Sequence, residues 1–247
     1  AARGSFRRAV LGDRNPDLVA VYRALQQDVE GVMDVGLGSL LQAFPGGIFP
    51  IGSVHECWCP CWEETAAASG FVAGILQTLM ARRGAVVWIG AELFPPVLSA
   101  FGLDPGRFLF VKPSRPDDTI WCIEEALRYS GLAAVVGEVN RLSFIASRRL
   151  QLAVEQSRVT GFVLNRSARQ PGTNACAVRW RISPLPGMLE EGMPGVGFAH
   201  WRGEVMKVRG GKPGAWEITW RGGRFQVASR QAAAPSLKVH GQKRTAG

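Results

Sequence analysis

The chain reads as an α/β protein built on a mostly parallel, twisted sheet with helices on both faces and a C-terminal β-hairpin extension. Three observations carry this expectation. From Ser53 to Asn165, short apolar runs alternate with segments of helical periodicity. Runs such as AVVWI (85–89) and AAVV (133–136) are apolar at every position, as strands covered on both faces require. After residue 165 the helical spacing stops, and alternating strands separated by turn residues take over.

Each element follows in order. Residues 16–30 place Leu18, Val21, Tyr22, Leu25 and Val29 on one helical face, with Asn15 or Asp17 as cap, so residues 1–35 form an N-terminal helical segment. FPGGIFPIG (44–52) is turn chemistry, and a strand, SVHECW, starts at Ser53. A helix from about Thr65 to Arg82 follows, then strand 85–90, helix 96–101, strand 107–112, helix 117–129, strand 132–139, helix 143–156 and strand 160–165. Beyond these come strand AVRWRI (177–182) and a hairpin of FAHWRGEVMKVRGG and AWEITW turning at GGKPG. One α/β domain, 36–230, β-rich from about 166, accounts for this pattern, and 231–247 reads as a basic, disordered tail.

Composition narrows the class. With 247 residues and 47% hydrophobic content, the chain is long enough for a substantial core and too apolar to be disordered. No apolar run approaches the roughly 20 residues of a membrane helix. Five cysteines at irregular spacing suit a reducing compartment, and the opening AARGSFRRAV resembles a truncated cytosolic start, so the expectation is a cytoplasmic protein with no membrane contact. The net charge of +9 is uneven: residues 1–150 carry 14 Lys and Arg against 15 Asp and Glu, whereas 151–247 carry 15 against 5. An anionic partner, nucleic acid first, is expected on the second half.

The stretch HECWCPCWEET (55–65) holds the densest chemistry. On a strand, Cys57, Cys59 and Cys61 lie ~6.6 Å apart along one face, which suits a tetrahedral ion poorly, and no C-x₂-C turn is present. Small apolar packing at a strand end is the expected role, with no metal. The position itself, the first strand feeding a helix, is where nucleotide-binding α/β proteins place a phosphate loop. Here Cys59, Pro60, Cys61, Trp62, Glu63, Glu64 and Thr65 stand in place of the glycines and lysine that such a loop needs. Glu63 and Glu64 would satisfy the helix dipole themselves and repel a phosphate, and Trp62 adds bulk. No cofactor is expected.

Several segments together resemble a family. FPGGIFPIGSVHE is similar to the segment before the phosphate loop of RecA-type recombinases; WIGAELFPPVLSAFGLDPGRFLFVKPSRPDDTIWCIEEALRYSGLAAVVGEV follows three further strands of that core. TGFVLNRSARQPGTNACAVRWRI resembles its second DNA-binding loop with flanking strands, and VMKVRGGKPGAWEIT its lysine-bearing hairpin. The G-x-x-H-E strand, the missing loop lysine, and the runs ASRRLQLAVEQSRVTGFVL and RGGKPGAWEITW most resemble ImuA, the SulA/RecA-like accessory family of bacterial damage-inducible mutagenesis cassettes. The resemblance implies a RecA-like core that helps assemble the translesion machinery. Its implied partners are a polymerase-like mutasome subunit and an error-prone DNA polymerase. RecA, single-stranded DNA and further copies of the chain are additional candidates, with nucleoid association when active.

The resemblance also aligns Glu92 with the glutamate that activates water in RecA, and places Gly137 and Glu138 where a magnesium-associated Asp is expected. With the phosphate cradle and the metal carboxylate both altered, the expectation is a non-enzyme. A residual DNA-dependent ATPase and a SulA-type division inhibitor are the alternatives.

Candidate DNA contacts lie in the basic half. NRSARQPGTN (165–174) supplies Arg166 and Arg169 for charge-assisted phosphate bonds, Asn174 for a neutral one, and Gly172 for close backbone approach. The next strand sets Arg179 and Arg181 opposite Val178, Trp180 and Ile182, with Trp180 assigned to the core. Lys207, Arg209 and Lys212 cluster on the hairpin, whose Trp216 and Trp220 are expected to bury against the sheet.

Overall fold

The computed structural model describes residues 34–82, 84–90, 95–169, 171–188 and 197–228. The helix expected over residues 16–30, Glu92 and the tail expected over 231–247 lie outside them.

A nine-stranded sheet organises these residues, in the order β3-β2-β4-β5-β1-β6-β7-β8-β9. The strands are β1 Val54–Trp58, β2 Val86–Ile89, β3 Phe108–Val111, β4 Ala134–Val139, β5 Thr160–Asn165, β6 Val178–Pro184, β7 Ala199–Val208, β8 Gly214–Arg221 and β9 Arg224–Val227. The helices are α1 Trp62–Arg82, α2 Pro95–Ala100, α3 Asp118–Arg128 and α4 Phe144–Ser157. Strands β1 to β6 pair in parallel, and β6 to β9 pair antiparallel. The expected order of strands and helices is therefore present, and the C-terminal hairpin continues the same sheet.

Period-two alternation sorts the strands between two cores. In β2, Trp88 joins the core under α1, while Val87 and Ile89 join the one under α3 and α4; β5 divides likewise, with Phe162 and Leu164 against Val163. Because both faces are covered, the strands have no polar side to show, and β2, β4 and β5 are buried throughout. Trp180 and Trp216 are fully buried and Trp220 is buried, as their alternation predicted.

Helix α1 crosses from the parallel strands to the antiparallel ones. A Cβ on Gly74 would lie 2.4 Å from Phe225 Cζ and 2.9 Å from the Trp220 ring, so the bare backbone lets β8 and β9 approach. Strand β9 is an element that the sequence pattern did not disclose. Helix α4 is capped by Ser143, whose Oγ accepts from Ala146 N at 3.1 Å.

Candidate functional site

The carboxyl ends of β1, β4 and β5 meet at one edge of the sheet, the side on which open α/β sheets bind ligands. Only Cys59, Pro60 and Cys61 separate β1 from α1. Helix α1 therefore begins at Trp62, three residues before the expected start. Cys59 N donates to Asn165 O at 2.9 Å, and Thr65 Oγ1 donates to Cys61 O at 3.0 Å, closing the turn.

The acids of this corner have separate tasks. Glu63 lies in the first turn of α1, where its own backbone N–H and then the Cys61 side chain hold its carboxyl below the usual range. Glu64 is buried and turned toward β6: its Oε1 accepts from Arg181 Nε at 3.0 Å and from Ser183 Oγ at 2.7 Å. Trp62, expected to fill the corner, instead points outward and is 68% exposed. Its ring is capped by the Arg166 guanidinium, 4.5 Å from the centroid.

The cysteines also diverge. Cys57 and Cys59 are buried in the core, whereas Cys61 is exposed. Burial is the main cause that pushes the Cys59 thiol up to about 12. Among the described residues, no group of three or more His, Cys, Asp or Glu is placed to hold a metal ion.

A carboxylate with no assigned role in the sequence reading organises the neighbouring loop. Glu56, fully buried on β1, accepts from Asn165 Nδ2 at 2.7 Å and also from Asn174 Nδ2 and Arg179 Nε. Arg179 continues to Gly172 O at 2.6 Å, so segment 171–174 is strapped onto the sheet. Lys207 Nζ donates to Asn174 O at 2.8 Å, and an Arg209 N–H donates to Ala175 O at 3.0 Å. Burial, and then the Arg179 charge, lowers the Lys207 pKa.

The eight expected DNA contacts thus divide. Asn174 and Arg179 are directed inward on Glu56 because an unpaired buried carboxylate is more costly than two lost surface contacts. Arg181 serves Glu64 and lies 5.1 Å over the Trp58 ring. Lys207 and Arg209 hold loop carbonyls. Arg166 sits between Trp62 and Glu138, 3.7 Å from the latter. Arg169 and Lys212 are exposed, Arg169 at the cleft described next and Lys212 on the β7–β8 turn. Glu138, on β4, accepts from Trp88 Nε1 at 3.2 Å.

A cleft of about 350 Å³ opens beside this corner, lined by Arg141, Ser143, Phe144, Asn165, Arg169 and Thr173 among others. Arg141 and Phe144 carried no role in the sequence reading. Their signal was available: an Arg and an aromatic flank the Ser that caps a helix after a central strand.

The site defines a class: a parallel α/β domain whose strand-to-helix corner is occupied by its own acids and whose loop end is arginine-rich. Over 199 residues the chain is 36% identical to Protein ImuA of Caulobacter vibrioides, in each of two strains, a match covering 75% of this chain and 82% of that relative. The chain belongs to the ImuA family. No family model matches it. Among the described residues, no helix is long and apolar enough to cross a membrane.

Proposed function

We propose that the chain is a non-catalytic accessory protein of damage-induced, error-prone translesion DNA synthesis, with a RecA-like core that bridges a polymerase-like partner, RecA-type filaments and/or single-stranded DNA. Family membership supports the setting. The observation that carries the non-catalytic reading is the three-residue link between β1 and α1. A phosphate loop wraps its anion with several consecutive backbone N–H groups and a lysine. Three residues closed by the Cys59 and Thr65 hydrogen bonds offer no such cradle, and Glu63 occupies the helix terminus that an anion would need. The outward residues of the basic half, Arg169 and Lys212 first, then suit contact with a polyanion or an acidic partner face.

Two measurements test this. ATP turnover, followed with and without single-stranded DNA, is expected to stay at background; turnover abolished by Glu92→Gln would overturn the reading. In a strain lacking the gene, the chain is expected to restore damage-induced mutation, and Glu92→Gln to restore it equally. Unrestored mutagenesis would also count against it.

A further inference from the structure

We propose that the groove between α3 and α4 is a protein-docking face, and that it takes one amphipathic helix of its partner, a helix with acidic side chains set between two apolar anchors. This gives the polymerase-like partner of the proposed function a surface, and it rests on that reading.

The two helices are held level with each other. Each links successive strands of the parallel part of the sheet, β3 to β4 and β4 to β5, so both run in the same direction. Both bury a flank on the same core, α3 through Ile123 and Leu127 and α4 through Leu150 and Val154. Glu124 fixes their register: it ion-pairs with Arg149 across the groove and accepts from Arg128 Nη2 at 2.7 Å. The groove measures about 320 Å³ and is lined by Glu124, Arg128, Arg149, Leu152, Ala153 and Gln156. Residues three, four and seven apart share a helix face. Trp121, Glu124 and Arg128 therefore make one wall, and Ile145, Arg149 and Leu152 the other. Trp121 and Ile145 stand one turn before the Glu124–Arg149 bridge on their respective helices.

The apolar members of these walls are open. Trp121 is 58% exposed, Ile145 73% and Leu152 45%. The buried flanks already supply the core, so these three side chains do nothing for the fold and mark a contact surface. Ile145 and Leu152 are two turns apart, about 10.5 Å, which is the spacing of two anchors on a helix laid alongside α4.

Charge selects the occupant. Between Ile145 and Leu152 the outer ridge of α4 presents Arg148 and Arg149, both exposed, and no acid. Glu124, the partner of Arg149, is shared with Arg128; its side chain is 6% exposed against 52% for Arg149, so a guanidinium covers a buried carboxylate. The exposed acid on α3, Glu125, lies 3.4 Å from Arg128, and Glu155 stands beyond Leu152. An incoming helix meets this ridge with an acid between its two apolar residues. A second copy fits worse: Arg149 lies at the middle of the stripe from Ile145 to Leu152, and a two-fold axis through the groove would set it against itself.

The test co-expresses the full chain with the polymerase-like subunit and purifies the complex after nuclease treatment. Calorimetry then compares the parent with Trp121→Ala, Ile145→Ala and Leu152→Ala. Each variant is expected to weaken binding about 5- to 30-fold, with the melting temperature of the free chain unchanged because these side chains lie at the surface. Affinity is expected to fall as salt rises. Hydrogen exchange is expected to show protection of α3, α4 and one segment of the subunit in which acids lie between apolar residues of helical spacing. A synthetic peptide of that segment should bind the chain, and should lose affinity when its acids are changed to lysine. Full affinity in all three variants, or a protected segment without acids, would overturn the groove and leave the proposed function standing. No complex at all would overturn both. A dimer of the chain alone, seen by sedimentation and dissolved by the same variants, would make the face a self-interface and overturn the proposal.

Discussion

Arg179 and Glu56 form an ion pair in which the carboxylate is fully buried and the arginine mostly so, with side chains 0% and 11% exposed. The carboxylate also holds Asn165 and Asn174, so one residue of β1 secures both ends of the loop between β5 and β6.

Glu56→Ala strands the Arg179 charge inside the protein, and the expected loss of stability is about 3–5 kcal/mol. Replacing both residues with leucine is expected to recover part of that loss, because no buried charge is left. Urea unfolding of Glu56→Leu, Arg179→Leu and the double leucine variant measures the coupling; strict additivity would mean that the pair does not interact.

His55 makes stability depend on pH. Its ring lies among Phe49, Phe162 and Trp180, and burial, opposed by the hydrogen bond to Pro50, lowers its pKa from 6.5 to about 4. Trp180 Nε1 donates to Nδ1 at 3.2 Å, and Nε2 lies 2.8 Å from Pro50 O. Only the neutral tautomer with the proton on Nε2 satisfies both, and a second proton on Nδ1 would break the tryptophan bond. Above pH 6.5 both folded and unfolded states hold neutral His55, and its contribution is complete. As pH falls from 6.5 to about 4 the unfolded state alone takes up the proton, and about 3 kcal/mol is lost. The urea midpoint of His55→Phe is expected to vary less with pH across that window than that of the parent; parallel curves would contradict this.

How much of this was legible in the sequence follows from the range of each interaction. Apolar period and turn residues act locally, so β1 to β8 and the helices could be read within a few residues. Strand β9 could not, because Arg224–Val227 alternates with only one buried residue, Phe225, and gains its meaning from Gly74 on a distant helix. The site divides in the same way. The absence of a G-x-x-x-x-G-K-[ST] motif was visible in residues 59–65, which are contiguous. Glu56 finds Asn165, Asn174 and Arg179 at separations of 109, 118 and 123 residues, and no local pattern reports such a partnership. Four of the eight expected DNA contacts, Arg166, Asn174, Arg179 and Arg181, face buried acids. Trp62 was read as bulk because position at a helix start does not say which way a side chain leaves it.

Cysteine reactivity should separate by burial. Cys57, Cys59 and Cys176 are buried; desolvation is the main cause raising all three thiols, with Cys59 and Cys176 at about 12. At pH 8, iodoacetamide is expected to modify Cys61 first and half-buried Cys122 more slowly, with the other three reacting only after denaturation. Mass mapping of the alkylated peptides checks this, and early labelling of Cys57 would mean that the end of β1 opens readily.

The contact between α1 and the end of the sheet can be tested at a single glycine. Replacing an interior helical glycine with alanine normally stabilises a helix by about 1 kcal/mol. At Gly74 the added methyl would come within 2.4 Å of Phe225 and 2.9 Å of Trp220, both buried, so a ring and its strand must move. Overpacking of this kind costs about 1–3 kcal/mol, which equals or exceeds the propensity gain. Gly74→Ala is therefore expected to lower the melting temperature. Phe225→Ala alone opens a cavity and also destabilises, by about 3–5 kcal/mol. In the double variant the methyl occupies space that the ring has left, so its loss should be smaller than the sum of the two single losses. A Gly74→Ala variant more stable than the parent would show that α1 does not press against β8 and β9.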